Sequence, residues 1–142
     1  MKLAVIGGGG VRSMFLAKSL AQRVGELHIK EIVFMDNNEK KLNIYGAMAH
    51  QVAKRIDSSV KFTLTTDAVE MVRDADYVIT TIRPGEDSKR VDDERIAISH
   101  NVLGQETTGA AGFSFAMRSI PALRHSVFRH AAYSQRRRGG LC

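Results

Sequence analysis

Short apolar runs alternate with longer amphipathic stretches over the first 82 residues. Leu3-Ala4-Val5-Ile6 and Ile32-Val33-Phe34 have no polar alternation, as in parallel strands covered on both faces. The pattern predicts strands at Met1–Ile6, Ile29–Met35, Val60–Thr65 and Tyr77–Ile82. A helix is expected over Val11–Val24, with Val11, Phe15, Ala17, Leu20 and Val24 turned inward and Gly25 as the stop. A second is expected over Glu39–Ile56, capped by Asn37 or Asn38, with Leu42, Tyr45, Met48 and Val52 as its buried stripe. Asp67 is a good cap for a short helix over Ala68–Arg73. Pro84-Gly85 forces a turn. The charged stretch Glu86–His100 then reads as a helix whose Arg90, Asp92, Asp93, Glu94 and Arg95 mostly form a solvated face. Gly104–Gly112 is a loop, and Phe113–Leu123 begins another helix.

Strands alternating with helices define an α/β protein with a doubly wound parallel sheet. Ligands in such sheets bind beyond the carboxyl ends of the strands. That rim holds Gly7-Gly8-Gly9-Gly10, Asp36, Thr65-Thr66 and Thr80–Gly85. The order strand, glycine turn, helix, strand, acid is that of a dinucleotide-binding unit. A helix N-terminus offers unpaired N–H groups and a partial positive charge to a pyrophosphate, provided no side chain blocks the approach. Gly7 can make the tight turn, and Gly9 lets the backbone approach the phosphates. Asp36 can accept hydrogen bonds from ribose hydroxyls, and its charge repels a 2′-phosphate, so NAD is favoured over NADP. The fit to G-x-G-x-x-G is imperfect, because the third glycine falls on Arg12 or Ser13.

A chain of 142 residues supports one domain. No apolar run approaches the ~20 residues of a membrane span, and the N-terminal apolar segment is too short for a signal peptide. A cytoplasmic protein is expected, with no membrane partner. Cys142 is the single cysteine, which leaves no disulfide framework and no cysteine cluster for a metal. The net charge of +6 hints at nucleic acid, but Arg124, Arg129, Arg136, Arg137 and Arg138 account for +5 of it. Residues 1–118 carry only +1, so the basic character belongs to a tail and no specific nucleic-acid partner is expected.

Three runs carry a family resemblance: Asp93-Glu94-Arg95-Ile96, Gly104-Gln105-Glu106-Thr107-Thr108-Gly109 and Arg118-Ser119-Ile120-Pro121. With the glycine turn, Asp36, Thr65-Thr66-Asp67 and Arg83-x-Gly85, they resemble glycoside hydrolase family 4 over residues 1–123. Those enzymes are NAD- and divalent-metal-dependent 6-phospho-α- and 6-phospho-β-glucosidases and related glycosidases. The resemblance implies oxidation at C3 of the sugar, loss of the acidified C2 proton, elimination at C1 and addition of water. It thus departs from the two-carboxylate scheme of most glycosidases. Carried over by position, Gly7, Gly9, Gly10, Val11, Arg12, Asp36 and Thr80 would hold the cofactor. Arg83 would meet the sugar phosphate as a guanidinium fork. Gln105, Glu106 and Thr107 would line the substrate pocket. Simpler readings stay open: Arg83 as a surface arginine and Glu106 as a structural acid.

Gly10-Val11-Arg12-Ser13 replaces the serine and Thr-Pro pair found in many members, which puts Arg12 near the phosphates. Full members are more than twice this length. Their metal ligands and base lie in a half not matched here, so neither a catalytic residue nor a site for the manganese of the family is assigned. Residues 124–142 read as an aberrant, frame-shifted or disordered basic tail after a cofactor domain at 1–123. A homo-oligomer is expected. The alternative is the cofactor domain of a small lactate- or malate-type dehydrogenase, although no histidine with an aspartate partner is evident.

Overall fold

In this computed structural model the backbone is described for residues 1–106 and 108–138, and side chains for 1–106 and 108–124. Two compact units are formed, one including Met1–Thr81 and the other Ile82–Phe128.

The first unit is a four-stranded parallel sheet in the order β3-β2-β1-β4, from β1 (Lys2–Ile6), β2 (Glu31–Met35), β3 (Lys61–Thr65) and β4 (Tyr77–Thr80). The predicted strands are present, each slightly shorter. Register brings Met35 and Thr80 opposite Ile6, and Thr65 opposite Met35. The carboxyl ends therefore finish level and make one rim. Ala4, Ile32 and Phe34 are fully buried, which explains why these strands show no polar alternation. Phe34 and Phe62 pack with ring centroids 4.8 Å apart, and His50 stacks on Phe62.

The helices come in the predicted order; Ala17, Leu20, Val24 and Leu42 are buried as expected, and the rest of each stripe differs. Helix α1 (Ser13–Ala21) begins two residues later than expected and ends before Gly25. Its inward residues are Ser13, Ala17, Leu20 and Ala21, while Val11 and Phe15 are 60% and 64% exposed. The second helical stretch is α2 (Glu39–Lys41), a π-helical segment (Leu42–Gly46) and α3 (Ala47–Ile56). A π turn takes one residue more than an α turn and so rotates every residue C-terminal to it about the helix axis. The buried stripe becomes Leu42, Gly46, Ala49 and Ala53, Met48 faces out, and Tyr45 and Val52 are half-buried. Helices α1 and α3 pack together through alanines, and these small side chains allow a close approach. Counting large apolar residues missed that interface. Asn38 is the observed cap, its side chain accepting from Lys41 N at 3.1 Å. Asp67 caps α4 (Ala68–Val72) through Val69 N at 2.7 Å, as expected.

The second unit contains α5 (Glu86–Ser99) and the start of α6 (Ala110–Arg138). Helix α6 begins three residues before the expected position and runs through Pro121. That proline removes one N–H from the helical ladder.

Candidate functional site

The glycine turn is built by the rim of the first unit. Gly7 N and Gly8 N both donate to Met35 O at 2.9 Å, so the chain leaving β1 is fastened to the end of β2. Gly7 has φ +95°, and a Cβ there would lie 2.7 Å from Thr81 Oγ1 and 2.9 Å from the Thr81 carbonyl. Thr81 Oγ1 lies 3.0 Å from Ile6 O and 3.2 Å from Gly7 O, so its hydroxyl donates into the base of the turn. The sequence points to Thr80 on this strand, but it is Thr81 that touches the turn. Strand alternation after the Ile6–Thr80 pair was the available signal.

Asp36 stands beside the turn. Its Oδ2 accepts from Gly9 N at 2.9 Å and its Oδ1 accepts from Asn38 N at 2.9 Å. A Cβ on Gly9 would lie 2.9 Å from Asp36 Oδ2, so the close approach requires glycine there too. Gly10 N donates to Gly7 O at 3.1 Å and Gly10 O accepts from Ser13 N at 3.0 Å, which carries the turn into α1. Arg12 is the residue before α1; its side chain caps nothing, and the first turn of the helix has no acid. Among the described residues no acceptor is placed for the N–H groups of Val11 or Arg12. Gly7, Gly9, Gly10 and Asp36 meet at the carboxyl ends of β1 and β2, Thr80 ends β4 beside Ile6, and Val11 and Arg12 carry the turn into α1.

These residues fit a dinucleotide. The glycines let the turn pack closely on Thr81, Phe34 and Asp36, the N–H groups of Val11 and Arg12 have no acceptor among the described residues, and the first turn of α1 carries no acid. Asp36 is half-buried and each of its oxygens accepts one backbone bond, so lone pairs are left for ribose hydroxyls.

The second unit gathers the other candidates. Arg83 Nη1 forms an ion pair with Glu106 Oε1, and its guanidinium lies 5.6 Å from the centre of the Phe115 ring. Arg90 Nε lies 3.5 Å from Glu106 Oε2 and 3.1 Å from Glu94 Oε1. Glu106 therefore binds two arginines, and among the described residues no backbone N–H is placed on its carboxylate. Arg90 is exposed and pairs with Glu94 four residues on, as a solvated helix face should, and it also reaches Glu106. Gln105 is exposed, and Thr107 lies outside the described residues. With Arg83 and Glu106 partly exposed, their pair stabilises the unit by no more than about 1 kcal/mol.

Asp93 corrects the expectation of a solvated face. It is only 4% exposed, and Arg118 grips both of its oxygens, with Nη1–Oδ1 at 2.7 Å and Nη2 on Oδ2. Arg118 Nε also reaches Pro84 O at 3.4 Å. Hydrogen bonding from Arg118 holds the Asp93 carboxyl below the usual aspartate range, against the opposing effect of desolvation. Two of the runs that carry the family resemblance are therefore joined in space.

The sequence profile of the family 4 glycosyl hydrolases matches residues 2–129, and the chain belongs to that family. This decides between the two enzyme classes considered from the sequence. The chain is 34% identical over 125 residues to the probable 6-phospho-beta-glucosidase of Bacillus subtilis (strain 168), covering 87% of this chain and 28% of that protein. It is 33% identical over 132 residues to the 6-phospho-alpha-glucosidase of Leptotrichia buccalis, covering 93% and 30%. The fold superposes on the Thermotoga maritima 6-phospho-beta-glucosidase crystallised with manganese, NAD+ and glucose-6-phosphate, with a TM-score of 0.84 and 35% identity over 94% of this chain and 32% of that one. The chain thus spans about 30% of the length of the relatives it matches.

Among the described residues no three His, Cys, Asp or Glu side chains are grouped to hold a metal ion. Cys142 lies outside those residues. No described helix is long and apolar enough to cross a membrane.

Proposed function

We propose that this chain is the NAD-holding part of a family 4 enzyme that hydrolyses 6-phosphorylated disaccharides. One observation carries the reading: the glycine turn, the unpaired N–H groups of Val11 and Arg12, and the Asp36 carboxylate stand on one rim. Val11 N–H, Arg12 N–H and the Arg12 guanidinium receive the pyrophosphate at Gly9-Gly10. Asp36 receives the adenosine ribose, and Thr80 closes the β4 side of the rim. Arg83 and Gln105, with Glu106 as the counter-charge, serve the sugar phosphate, and Thr107 joins them by its place in the motif. When bound, the cofactor supplies reversible oxidation of the sugar, which no side chain can perform. In this reading these 142 residues supply the binding of cofactor and sugar phosphate. The cytoplasmic location, the basic tail after residue 123, self-association and the absence of a specific nucleic-acid partner go with this reading.

A ligand that binds only the folded state raises its stability by about 2.7 kcal/mol at a hundred times its dissociation constant. Saturating NAD should therefore raise the melting temperature of the chain by roughly 5–10 °C. NADP should raise it less. An equal or larger rise with NADP, or none with either, would contradict the assignment.

A further inference from the structure

We infer that Asp36 is a positioning residue for the glycine turn as well as a ribose acceptor, and that these two roles cannot be separated by simple truncation. The inference rests on the NAD reading above for its consequence in specificity, but not for its geometry.

Gly9 N–H has no backbone acceptor; its partner is Asp36 Oδ2 at 2.9 Å. The other oxygen takes Asn38 N–H at 2.9 Å, at the start of the second helical stretch. Asp36 N in turn donates to Thr65 O at 3.3 Å. One carboxylate therefore joins the turn after β1 to the segment after β2, and β3 holds its backbone. Charge-assisted bonds of this kind are roughly twice as strong as neutral ones. Their two opposed directions fix the plane of the carboxylate, and with it the orientation of the lone pairs left for a ligand.

Gly7 and Gly8 are held by Met35 O, but Gly9 is held only by this side chain. Removing the carboxylate leaves Gly9 N–H without a partner in a half-buried place and frees the middle of the turn. The common expectation for an acid at this position is that truncation relieves repulsion of a 2′-phosphate and converts NAD preference to NADP preference. Here truncation also dismantles the turn that receives the pyrophosphate common to both dinucleotides. Both affinities should fall together.

The test is amide hydrogen exchange on the 142-residue chain, read residue by residue, without ligand and then with NAD or NADP. In the unmodified chain the Gly9 and Asn38 amides should be protected. Asp36→Ala should speed their exchange by about tenfold to a hundredfold while the sheet amides of Val5 and Phe34 stay unchanged. Asp36→Asn keeps one acceptor oxygen, so one of the two amides should remain protected. Asp36→Ala should also weaken NAD about tenfold or more with no gain for NADP. Unchanged Gly9 exchange in Asp36→Ala, or a switch to NADP preference, would overturn the inference. A chain that binds neither dinucleotide, yet loses Gly9 protection in Asp36→Ala, would support the positioning role and refute the NAD reading.

Discussion

Replacing Gly7 with alanine is expected to destabilise the first unit by about 3 kcal/mol or more and to abolish dinucleotide binding. The backbone there has φ +95°, which costs an L-residue about 1–3 kcal/mol. The added Cβ would also stand 2.7 Å from Thr81 Oγ1 and 2.9 Å from Thr81 backbone atoms. Thr81 cannot simply rotate away, because backbone is among the atoms struck. The damage falls where β1, β2 and β4 end together, so it reaches the rim directly. Gly25 provides the control. A Cβ there meets nothing within 4 Å, so Gly25→Ala should change stability by less than about 0.5 kcal/mol. Urea unfolding of both variants measures the difference. Equal midpoints would show that the turn tolerates side chains and that its glycines are not required by packing.

The second large effect belongs to Asp93 and Arg118. Asp93→Ala leaves Arg118 able to rehydrate, since 30% of its side chain is exposed, and should cost about 2 kcal/mol. Arg118→Leu should cost more, because it strands a carboxylate whose side chain is 5% exposed. The pH dependence has a definite sign. The folded-state pKa of Asp93 is depressed, so the unfolded chain binds the proton more readily as pH falls. The contribution of the pair is complete above the ordinary aspartate value of about 4 and is lost as pH falls through the lower folded-state value. The stability gap between the unmodified chain and Asp93→Asn should be wide at pH 7 and should narrow on acidification below about pH 4. A gap that is constant with pH would mean that the carboxylate charge is irrelevant to the unit.

The four parallel strands and their rim were legible because an unbroken apolar run is a strong signal and the glycine turn and Asp36 punctuate it. The faces of the helices were less so. Ala17, Ala21, Ala49 and Ala53 make a close interface with little apolar bulk, and the π turn at Leu42–Gly46 shifts the phase of the stripe along α3. Periodicity read with large residues therefore turned Phe15 and Met48 inward when both are exposed. In the second unit the difficulty was different in kind. Asp93 and Arg118 are 25 residues apart, and nothing in local charge spacing distinguishes a gripped aspartate from a solvated one. The same holds for Arg90, which is tied to Glu106 in the Gln-Glu-Thr-Thr-Gly run. Such pairings are set by tertiary folding. The family runs, matched as fixed strings, single out Asp93, Glu106 and Arg118 but not Arg90.

An NMR titration of the isotope-labelled 142-residue chain with NAD tests the central claim most directly, because it reports where the cofactor sits. The expected result is saturable, micromolar-range perturbation of amides in Gly7–Arg12, Asp36–Asn38 and Thr80–Thr81, weaker with NADP. Perturbations centred instead on Glu86–Ser99, or none in a chain whose sheet amides remain protected, would contradict the assignment of the glycine turn as the NAD site.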